Sequence, residues 1–215
     1  MGGHRVGIVI PAFNESKTIL GIVGKASKYG VAIVVDDGSS DDTAALAAMG
    51  GAVVVSHKTN RGYDAALNSG FEKAAQLGCE TVISLDADGQ HSPFLIQKFI
   101  TEIDLGNDLV LGVRSSLPRF AEQLFSQYTN VFFGIKDPLC GMKGYRLALY
   151  KELGYFDSYR SIGTELMFFA ARRGFRISQV PFNVNQRDGQ SRFGSIIGAN
   201  CKILRAFILS IWYRK

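Results

Sequence analysis

The alternation of short apolar runs with helical patterns constrains the fold of this chain more than any other feature. Runs rich in valine and isoleucine occupy residues 6–10, 31–35, 52–55, 81–85 and 109–111. The segments between them predict helices over 16–29, 41–49, 63–77 and 93–105. Continuously apolar strands separated by helices are typical of a parallel sheet covered on both faces. We therefore predict an α/β fold, Rossmann-like, with a mostly parallel sheet and helices on both faces.

The second half of the chain is less regular. Aromatic residues concentrate over 120–133, and the segments 144–150, 164–173 and 175–184 predict a small mixed C-terminal region that completes the sheet. We find no internal repeat, linker or domain boundary. With 215 residues, 47% of them hydrophobic, the chain is long enough for one sizeable core. We predict a single domain, 1–215, ending in an amphipathic helix over 194–215.

Polar clusters stand where three predicted strands end, at residues 11–15, 36–42 and 86–91. In open α/β sheets, ligands bind beyond the carboxyl ends of the strands. We therefore expect these clusters to form one site at one edge of the sheet. No Gly-x-Gly-x-x-Gly follows the first strand, which argues against a dinucleotide-binding dehydrogenase.

The cluster that carries most chemistry is Asp86-Ala87-Asp88, which follows a buried strand. Burying two ionised carboxylates without a partner is costly. A divalent cation with oxygen ligands, able to bridge two phosphates of a nucleotide diphosphate, is the natural partner. Gln90 and His91 are placed to complete or orient such a site. The alternative interpretation of this short pattern is a solvated acidic turn.

The two other clusters suit a nucleoside. Asp37 can accept hydrogen bonds from a base or ribose, whereas residues 39–42 are read as a turn and helix cap. After the first strand, the small Ala12 lets a planar ligand approach the backbone, and Glu15 can bind ribose hydroxyls. By contrast His57 has no constellation around it, which favours a surface histidine.

The ordered set of motifs resembles the family 2 inverting glycosyltransferases of the GT-A fold, and within them the dolichyl- and polyprenyl-phosphate sugar synthases. The resemblance covers nearly the whole chain. The motifs that carry it are Pro-Ala-Phe-Asn-Glu at 11–15, Asp-Asp-Gly-Ser-Ser-Asp at 36–41, Asn-Arg-Gly-Tyr at 60–63, Asp-Ala-Asp-Gly-Gln-His at 86–91, Gly-Val-Arg at 112–114, the segment 137–146, Val-Pro at 180–181 and Arg-Asp-Gly-Gln-Ser at 187–191.

The resemblance implies a role for each matching residue on the donor side. The residues implied to hold the nucleoside are Pro11, Ala12, Phe13, Glu15, Val35 and Asp37. Asp86 and Ala87 would line the donor pocket, and Asp88 and Gln90 would coordinate Mg²⁺ or Mn²⁺.

The same resemblance implies cationic residues for the phosphates. Arg114 and Arg119 would reach phosphates of the donor or acceptor, and Arg187, Ser191 and Arg192 would close over the diphosphate or the acceptor phosphate. The chain departs from the family pattern at Asp64, where a small residue is usual, at Cys140, where Ser or Thr is commoner, and at Arg192, where Lys is usual.

The expected activity is transfer of a sugar from a nucleotide-diphosphate sugar, such as GDP-mannose or a UDP-sugar, to a polyprenyl or dolichyl phosphate. A phosphate monoester is already ionised at pH 7 and needs cations, whereas a sugar hydroxyl needs a general base. Glu165 is the candidate base, or else a carboxylate favoured at a helix N-terminus. The enzyme alternative is a transferase that extends a surface polysaccharide or glycolipid. A non-catalytic nucleotide-sugar binding protein is the alternative outside enzymes.

The charge of the chain favours anionic partners. The net charge is +5, and basic residues are concentrated in residues 160–215. Arg172, Arg173 and Arg176 match no nucleic-acid motif, so we read them as a solvated helix face and expect no nucleic-acid partner. A homo-oligomer remains open.

We expect a cytoplasmic protein, peripheral at the cytoplasmic face of the membrane. The three cysteines show neither zinc spacing nor a disulfide framework, and the N-terminus lacks the pattern of a signal peptide. No apolar stretch of about 20 residues is present. The segment 194–215 either lies in a membrane interface or packs on the core or on another subunit. Phe168 and Phe169 can help form an acceptor groove.

Overall fold

A seven-stranded sheet organises the chain in the computed structural model, which describes residues 5–87, 93–183 and 196–212. The strands are β1 (Val6–Ala12), β2 (Val31–Asp36), β3 (Val53–Ser56), β4 (Thr81–Ser84), β5 (Leu109–Arg114), β6 (Lys143–Arg146) and β7 (Ile177–Phe182). The helices are α1 (Ile19–Ala26), α2 (Thr43–Met49), α3 (Tyr63–Gln76), α4 (Ile96–Asp104), α5 (Phe120–Phe133), α6 (Leu147–Leu153), α7 (Glu165–Arg173) and α8 (Ile196–Trp212). A single 3₁₀ turn, Pro93–Leu95, precedes α4.

The strand order is β3-β2-β1-β4-β6-β5-β7. Neighbouring strands are parallel except at β6, which runs antiparallel to both β4 and β5. The carboxyl ends of β1, β2, β4 and β5 therefore lie at one edge of the sheet, together with the beginning of β6. The predicted α/β fold with a mostly parallel sheet is confirmed, and the predicted mixed region is the antiparallel strand β6 with α6, α7 and β7.

Hydrophobic cores cover both faces of the sheet. On one face, alternate residues of β1 such as Ile8 and Ile10 pack with α1, α2 and α4. On the other face, Val9 packs in a larger core with α3, α5, α6, α7 and α8. Because both sides of these strands are buried, the strands need apolar residues at every position, which explains the continuous valine and isoleucine runs.

Helix boundaries differ from the prediction at two sites near the sheet edge. The first helix begins at Ile19 rather than at residue 16, because the Glu15 carbonyl accepts the N–H groups of both Thr18 and Ile19 and forms a separate turn. At the start of α2, Asp42 makes no side-chain cap bond. Asp41 instead accepts the Thr43 N–H at 3.1 Å.

The expected acceptor groove at Phe168 and Phe169 is wrong. Both side chains are buried, and the Phe168 ring lies 6.0 Å from the Phe125 ring and 5.5 Å from the Phe133 ring. Phe168 therefore fills the core between α7 and α5, and Phe169 packs against Phe175, whose ring lies 6.2 Å away.

The C-terminal helix α8 packs along α5, with the Phe207 ring against Phe125 and Tyr128, and it buries Ala199, Ile203 and Ala206. In the described ranges, no helix is both long enough and apolar enough to cross a bilayer. The packing role expected for the terminal segment is thus present on one side of α8, while its other side remains exposed.

Candidate active site

The described site residues lie where the sheet topology brings strand ends together. Pro11 and Ala12 end β1, Asp37 directly follows β2, and Arg114 ends β5. Asp86 follows β4 by two residues. The single edge predicted from the sequence therefore exists, and it spans four parallel strands with the start of β6 between β4 and β5.

On the nucleoside side, the Asp37 carboxylate is already engaged by several donors. Oδ1 lies 2.6 Å from His57 Nδ1 and accepts the Arg61 N–H at 2.9 Å, and Oδ2 accepts the Gly62 N–H at 2.8 Å. These bonds fix the loop that leads into α3. Direct binding of a nucleoside by Asp37 stays a prediction, and the contacts observed are those of a residue that positions this loop.

The interpretation of His57 as a surface residue is wrong. Its side chain is 5% exposed, and its Nε2 lies 2.9 Å from Ser69 Oγ. His57 thus bridges Asp37 and Ser69, one ring nitrogen to each, and can donate to the carboxylate through Nδ1. Sequence reasoning missed this array because its members come from the end of β2, the loop after β3 and the middle of α3.

The loops after β1 and β2 are tied together. Asn14 donates its N–H to Ser39 Oγ at 2.9 Å, and Asn14 Oδ1 accepts the Ser40 N–H at 2.9 Å. Ser16 donates its N–H to Asp41 Oδ2 at 3.2 Å. Asn14 adopts a positive φ of 54°, which asparagine tolerates better than most residues. The segment read as a turn and cap therefore also holds the loop after β1 in place.

The predicted nucleoside residues differ in how they can reach a ligand. Pro11, Ala12 and Val35 are buried in the sheet, and the Val35 side chain faces Gly70 of α3. These three can offer a ligand only their backbone atoms. Phe13 is exposed and lies beyond the strand end.

The turn that begins at Glu15 connects the loop after β1 to the segment after β4 that carries Asp86 and Ala87. The Glu15 N–H donates to Thr43 Oγ1 at 2.8 Å. Thr18, at the end of the same turn, donates its hydroxyl to the Ala87 carbonyl at 2.6 Å. The segment that carries Asp86 and Ala87 is thus held against the first loop of the site.

Asp86 lies against a glycine that leaves it room. A Cβ placed on Gly141, two residues before β6, would stand 2.0 Å from Asp86 Oδ2 and 2.6 Å from its Cγ. The Asp86 carboxylate therefore covers the Gly141 backbone, and no larger residue fits there without moving it. The position of this carboxylate, near the centre of the edge, is therefore sensitive to the size of residue 141.

A buried lysine, Lys143, pairs with Ser84 across β6 and β4 and was missed by the sequence reasoning. It is 3% exposed, and its Nζ donates to the Gly163 carbonyl at 2.8 Å. Burial lowers the pKa of Lys143 to about 8, while the charges of Asp64 and Asp86 act in the opposite direction. Lys143 therefore supplies the positive charge that compensates carboxylates at this edge.

Asp64, the departure from the family pattern, belongs to the same cluster. Its Oδ1 accepts the Gly163 N–H at 2.7 Å. Burial, with a contribution from the charge of Asp157, raises the pKa of Asp64 to about 7. Gly163, which has a φ of 68°, is therefore held at its N–H by Asp64 and at its carbonyl by Lys143.

Arg114 is anchored by carboxylates. Its Nε and Nη2 donate to Asp137 at 2.7 and 3.0 Å in a bidentate pair, and its Nη1 lies 3.8 Å from Glu122 Oε1. Burial alone would lower the pKa of Arg114, but these carboxylates raise it. Arg119 donates to the same Glu122 Oε1 at 2.6 Å. Contact of Arg114 and Arg119 with phosphates stays a prediction.

Glu165, the candidate base, is buried at the start of α7. Its carboxylate accepts the Ser158 N–H at 2.5 Å and the Ser158 hydroxyl at 2.9 Å. Burial raises the pKa of Glu165 above the ordinary glutamate value. These bonds attach the preceding loop to α7, a structural role that differs from the proposed base, and the base role remains untested.

The remaining predicted site residues lie outside the described residues: Asp88, Gln90, His91, Arg187, Ser191 and Arg192. In the described ranges, no group of three or more His, Cys, Asp or Glu side chains could hold a metal ion. The metal prediction therefore depends on Asp88 and Gln90. The three cysteines are unpaired, with Cys79 and Cys140 buried and Cys201 exposed.

The fold has counterparts among solved glycosyltransferases. Glucosyl-3-phosphoglycerate synthase from Mycobacterium tuberculosis, solved with Mn²⁺, uridine diphosphate and glucosyl-3-phosphoglycerate, matches with a TM-score of 0.79 at 21% identity, over 99% of this chain and 82% of that one. This likeness defines the fold as that of the GT-A glycosyltransferases.

Residues 7–160 match the family model described as Glycosyl transferase family 2, and the chain belongs to that family. Polyprenol monophosphomannose synthase of Mycolicibacterium smegmatis is 30% identical, over 86% of this chain and 79% of the relative. Undecaprenyl-phosphate mannosyltransferase of Micrococcus luteus is 29% identical, over 90% of each chain. The protein is thus a glycosyltransferase, and its relatives include polyprenyl-phosphate sugar synthases.

Proposed function

We propose that this glycosyltransferase is an inverting, metal-dependent enzyme that transfers a sugar from a nucleotide-diphosphate sugar to a polyprenyl phosphate. The observation that carries the proposal is the Asp86 carboxylate, held over Gly141 at the centre of the sheet edge. The names of the two relatives support the acceptor, because both refer to transfer onto a polyprenyl phosphate.

The residues proposed for the metal suit Mg²⁺ or Mn²⁺. Asp88 and Gln90 offer carboxylate and amide oxygens, which are the ligands that hard divalent cations prefer. A bound cation would neutralise the charge that grows on the leaving diphosphate. Asp86, two residues before Asp88, lies against Gly141, and the carbonyl of the next residue, Ala87, accepts the Thr18 hydroxyl at 2.6 Å.

This chain's own residues orient the donor and prepare the acceptor side. The Asp37–His57 contact fixes the loop before α3, where the nucleoside is proposed to lie. Arg114 keeps its charge because Asp137 binds it on two nitrogens, and it can stabilise phosphate charge at the edge. Arg187 and Arg192 are proposed to close over the phosphates.

A phosphate acceptor needs no general base, because its attacking oxygen is already ionised. The engagement of Glu165 with Ser158 fits that chemistry. The second candidate is transfer to a sugar hydroxyl of a polysaccharide or glycolipid, and the raised pKa of Glu165 favours it. In that case Glu165 would leave Ser158 and act as the base. A position at the cytoplasmic face of the membrane is part of the first proposal.

The test is release of nucleoside diphosphate from a panel of GDP- and UDP-sugars, with Mg²⁺ or Mn²⁺, with and without a short polyprenyl phosphate. Release that needs both metal and lipid phosphate, and that disappears in Asp88→Ala, is the expected result. Asp104→Ala removes an exposed carboxylate at the end of α4, away from the site, and serves as the matched control. If a saccharide stimulates release of nucleoside diphosphate and lipid phosphate does not, the polyprenyl phosphate acceptor is refuted. Glu165→Gln is then the next variant to test.

A further inference from the structure

Large apolar side chains are exposed mainly on two neighbouring helices. Among the described residues, eleven large apolar side chains are exposed, and six of them lie on α5 or α8. They are Phe120, Leu124, Val131, Phe132, Ile208 and Trp212. We call this set the α5–α8 face. Trp212 is 80% exposed and Phe132 66%, so these side chains contribute little to the core.

The two halves of this face adjoin. Asn200 Oδ1 accepts the Ala121 N–H at 3.1 Å, and the Phe207 ring lies 5.1 Å from the Tyr128 ring. The second contact lies seven residues, about 10 Å, beyond the first on both helices. The two helices α5 and α8 therefore run side by side in the same direction. Ile208 and Trp212 are therefore level with the C-terminal half of α5, where Val131 and Phe132 lie.

The exposed charge on the same helices is positive. Lys202 and Arg205 are exposed on α8, and Arg205 lies one turn before Ile208. The only carboxylate on either helix in the described range is Glu122, which is buried against Arg119. An apolar surface with lysine and arginine at its margin and a tryptophan at its end is suited to the interface of an anionic bilayer.

The face begins at the edge of the active site. Arg114 ends β5, its Nη1 lies 3.8 Å from Glu122 Oε1, and Glu122 lies in the first turn of α5. Phe120 and Leu124 follow on the same helix. A polyprenyl phosphate whose headgroup reaches this edge would therefore have its chain beside an apolar surface.

We propose that the α5–α8 face docks on an anionic lipid bilayer and so places the sheet edge at the membrane surface. The inference rests on the proposed function, because it gives the lipid-phosphate acceptor its route to the site. A second copy of the chain is a poorer occupant, since a symmetric pair would bring Lys202 and Arg205 of each copy close to those of the other.

The test is co-sedimentation of the full chain, without substrates, with phosphatidylcholine vesicles that contain or lack phosphatidylglycerol. We expect binding to the anionic vesicles and a loss of roughly tenfold or more in the triple variant Phe132→Ser, Ile208→Ser, Trp212→Ser. The double variant Lys202→Gln, Arg205→Gln should lose roughly fivefold per cation on anionic vesicles only.

The matched control is Met49→Ser, Leu105→Ser. Both side chains are as exposed as those of the face, at 70% and 65%, but they precede β3 and β5 at the opposite edge of the sheet. Wild-type binding by this control supports the proposal. Equal loss of vesicle binding in the control and the triple variant, or absence of binding by the wild type, overturns the proposal. So does concentration-dependent dimerisation that the triple variant abolishes.

Transfer to a water-soluble, short-chain polyprenyl phosphate is measured in parallel and separates the two proposals. The triple variant should keep the wild-type kcat with that acceptor, because its three side chains lie outside the site. Absence of transfer in every protein overturns the proposed function, whereas absence of vesicle binding with normal transfer overturns the docking surface.

Discussion

Replacing Gly141 by alanine tests the position of Asp86 directly. The added Cβ would stand 2.0 Å from Asp86 Oδ2, and real Cβ atoms are essentially never found closer than 3.0 Å to such a neighbour. Gly141 is not among the glycines with positive φ, so its backbone conformation itself accepts alanine. The perturbation therefore acts on the Asp86 carboxylate, which must retreat by about 1 Å.

The size of the effect follows from that displacement. A misplacement of about 1 Å at a reacting centre costs roughly 100-fold in rate, which corresponds to about 2.7 kcal/mol of lost transition-state stabilisation. We expect Gly141→Ala to lower kcat/KM for the nucleotide sugar by about that factor. The unfolding temperature should change little, because the added Cβ meets the end of a flexible, half-buried side chain rather than backbone.

The assay is steady-state release of nucleoside diphosphate, with thermal unfolding followed in parallel. Gly144→Ala, three residues later in β6, is the control, since its Cβ would meet Phe99 at 3.4 Å, an ordinary contact. We expect the control to retain near wild-type kcat/KM. Gly141→Ala with wild-type kcat/KM and an unchanged unfolding temperature would refute the idea that the Asp86 position matters to the donor.

Three further predictions concern the buried groups around the edge. Lys143→Met leaves the charges of Asp86 and Asp64 without their cation and should lower the free energy of unfolding by about 3 kcal/mol; an unchanged urea midpoint would contradict this. Asp64→Asn should remove part of the pH dependence of the free energy of unfolding. Because the folded protein holds the Asp64 proton more tightly than the unfolded chain, wild-type stability should fall, relative to the variant, as pH rises from 3.8 to about 7. Parallel curves of unfolding free energy against pH for the wild type and Asp64→Asn would contradict the raised pKa of Asp64. His57→Ala removes one of the two partners of Asp37 Oδ1 and loosens the loop before α3, so the KM for the donor should rise about tenfold with little change in kcat. A drop in kcat alone would show that the histidine acts elsewhere.

Local sequence was enough to predict the architecture, because the signals involved are local. A strand buried on both faces needs apolar residues throughout, so residues 6–10 and 31–35 could be read directly as central strands. Polar residues that follow such strands must lie at the carboxyl edge, which placed Asp37 and Asp86 in one site. The helix positions were also readable, although the start of α1 depended on the turn at Glu15, which periodicity does not report.

The contacts inside the site were not predictable in the same way. His57 and Asp37 lie 20 residues apart, and Asp64 contacts Gly163 across 99 residues. Read alone, His57 and Lys143 resemble solvated surface residues. They are buried only because α3 and the Gly163 loop pack over them.

The sequence by itself determined that this chain is an α/β protein with a polar edge of glycosyltransferase type. Only the tertiary structure decided which charges compensate one another at that edge. The physical reason is that β6 inserts antiparallel between β4 and β5, which brings Gly141 against Asp86 and buries Lys143 opposite Ser84. Strand insertion of that kind depends on the packing of the whole sheet, and no short segment of the chain encodes it.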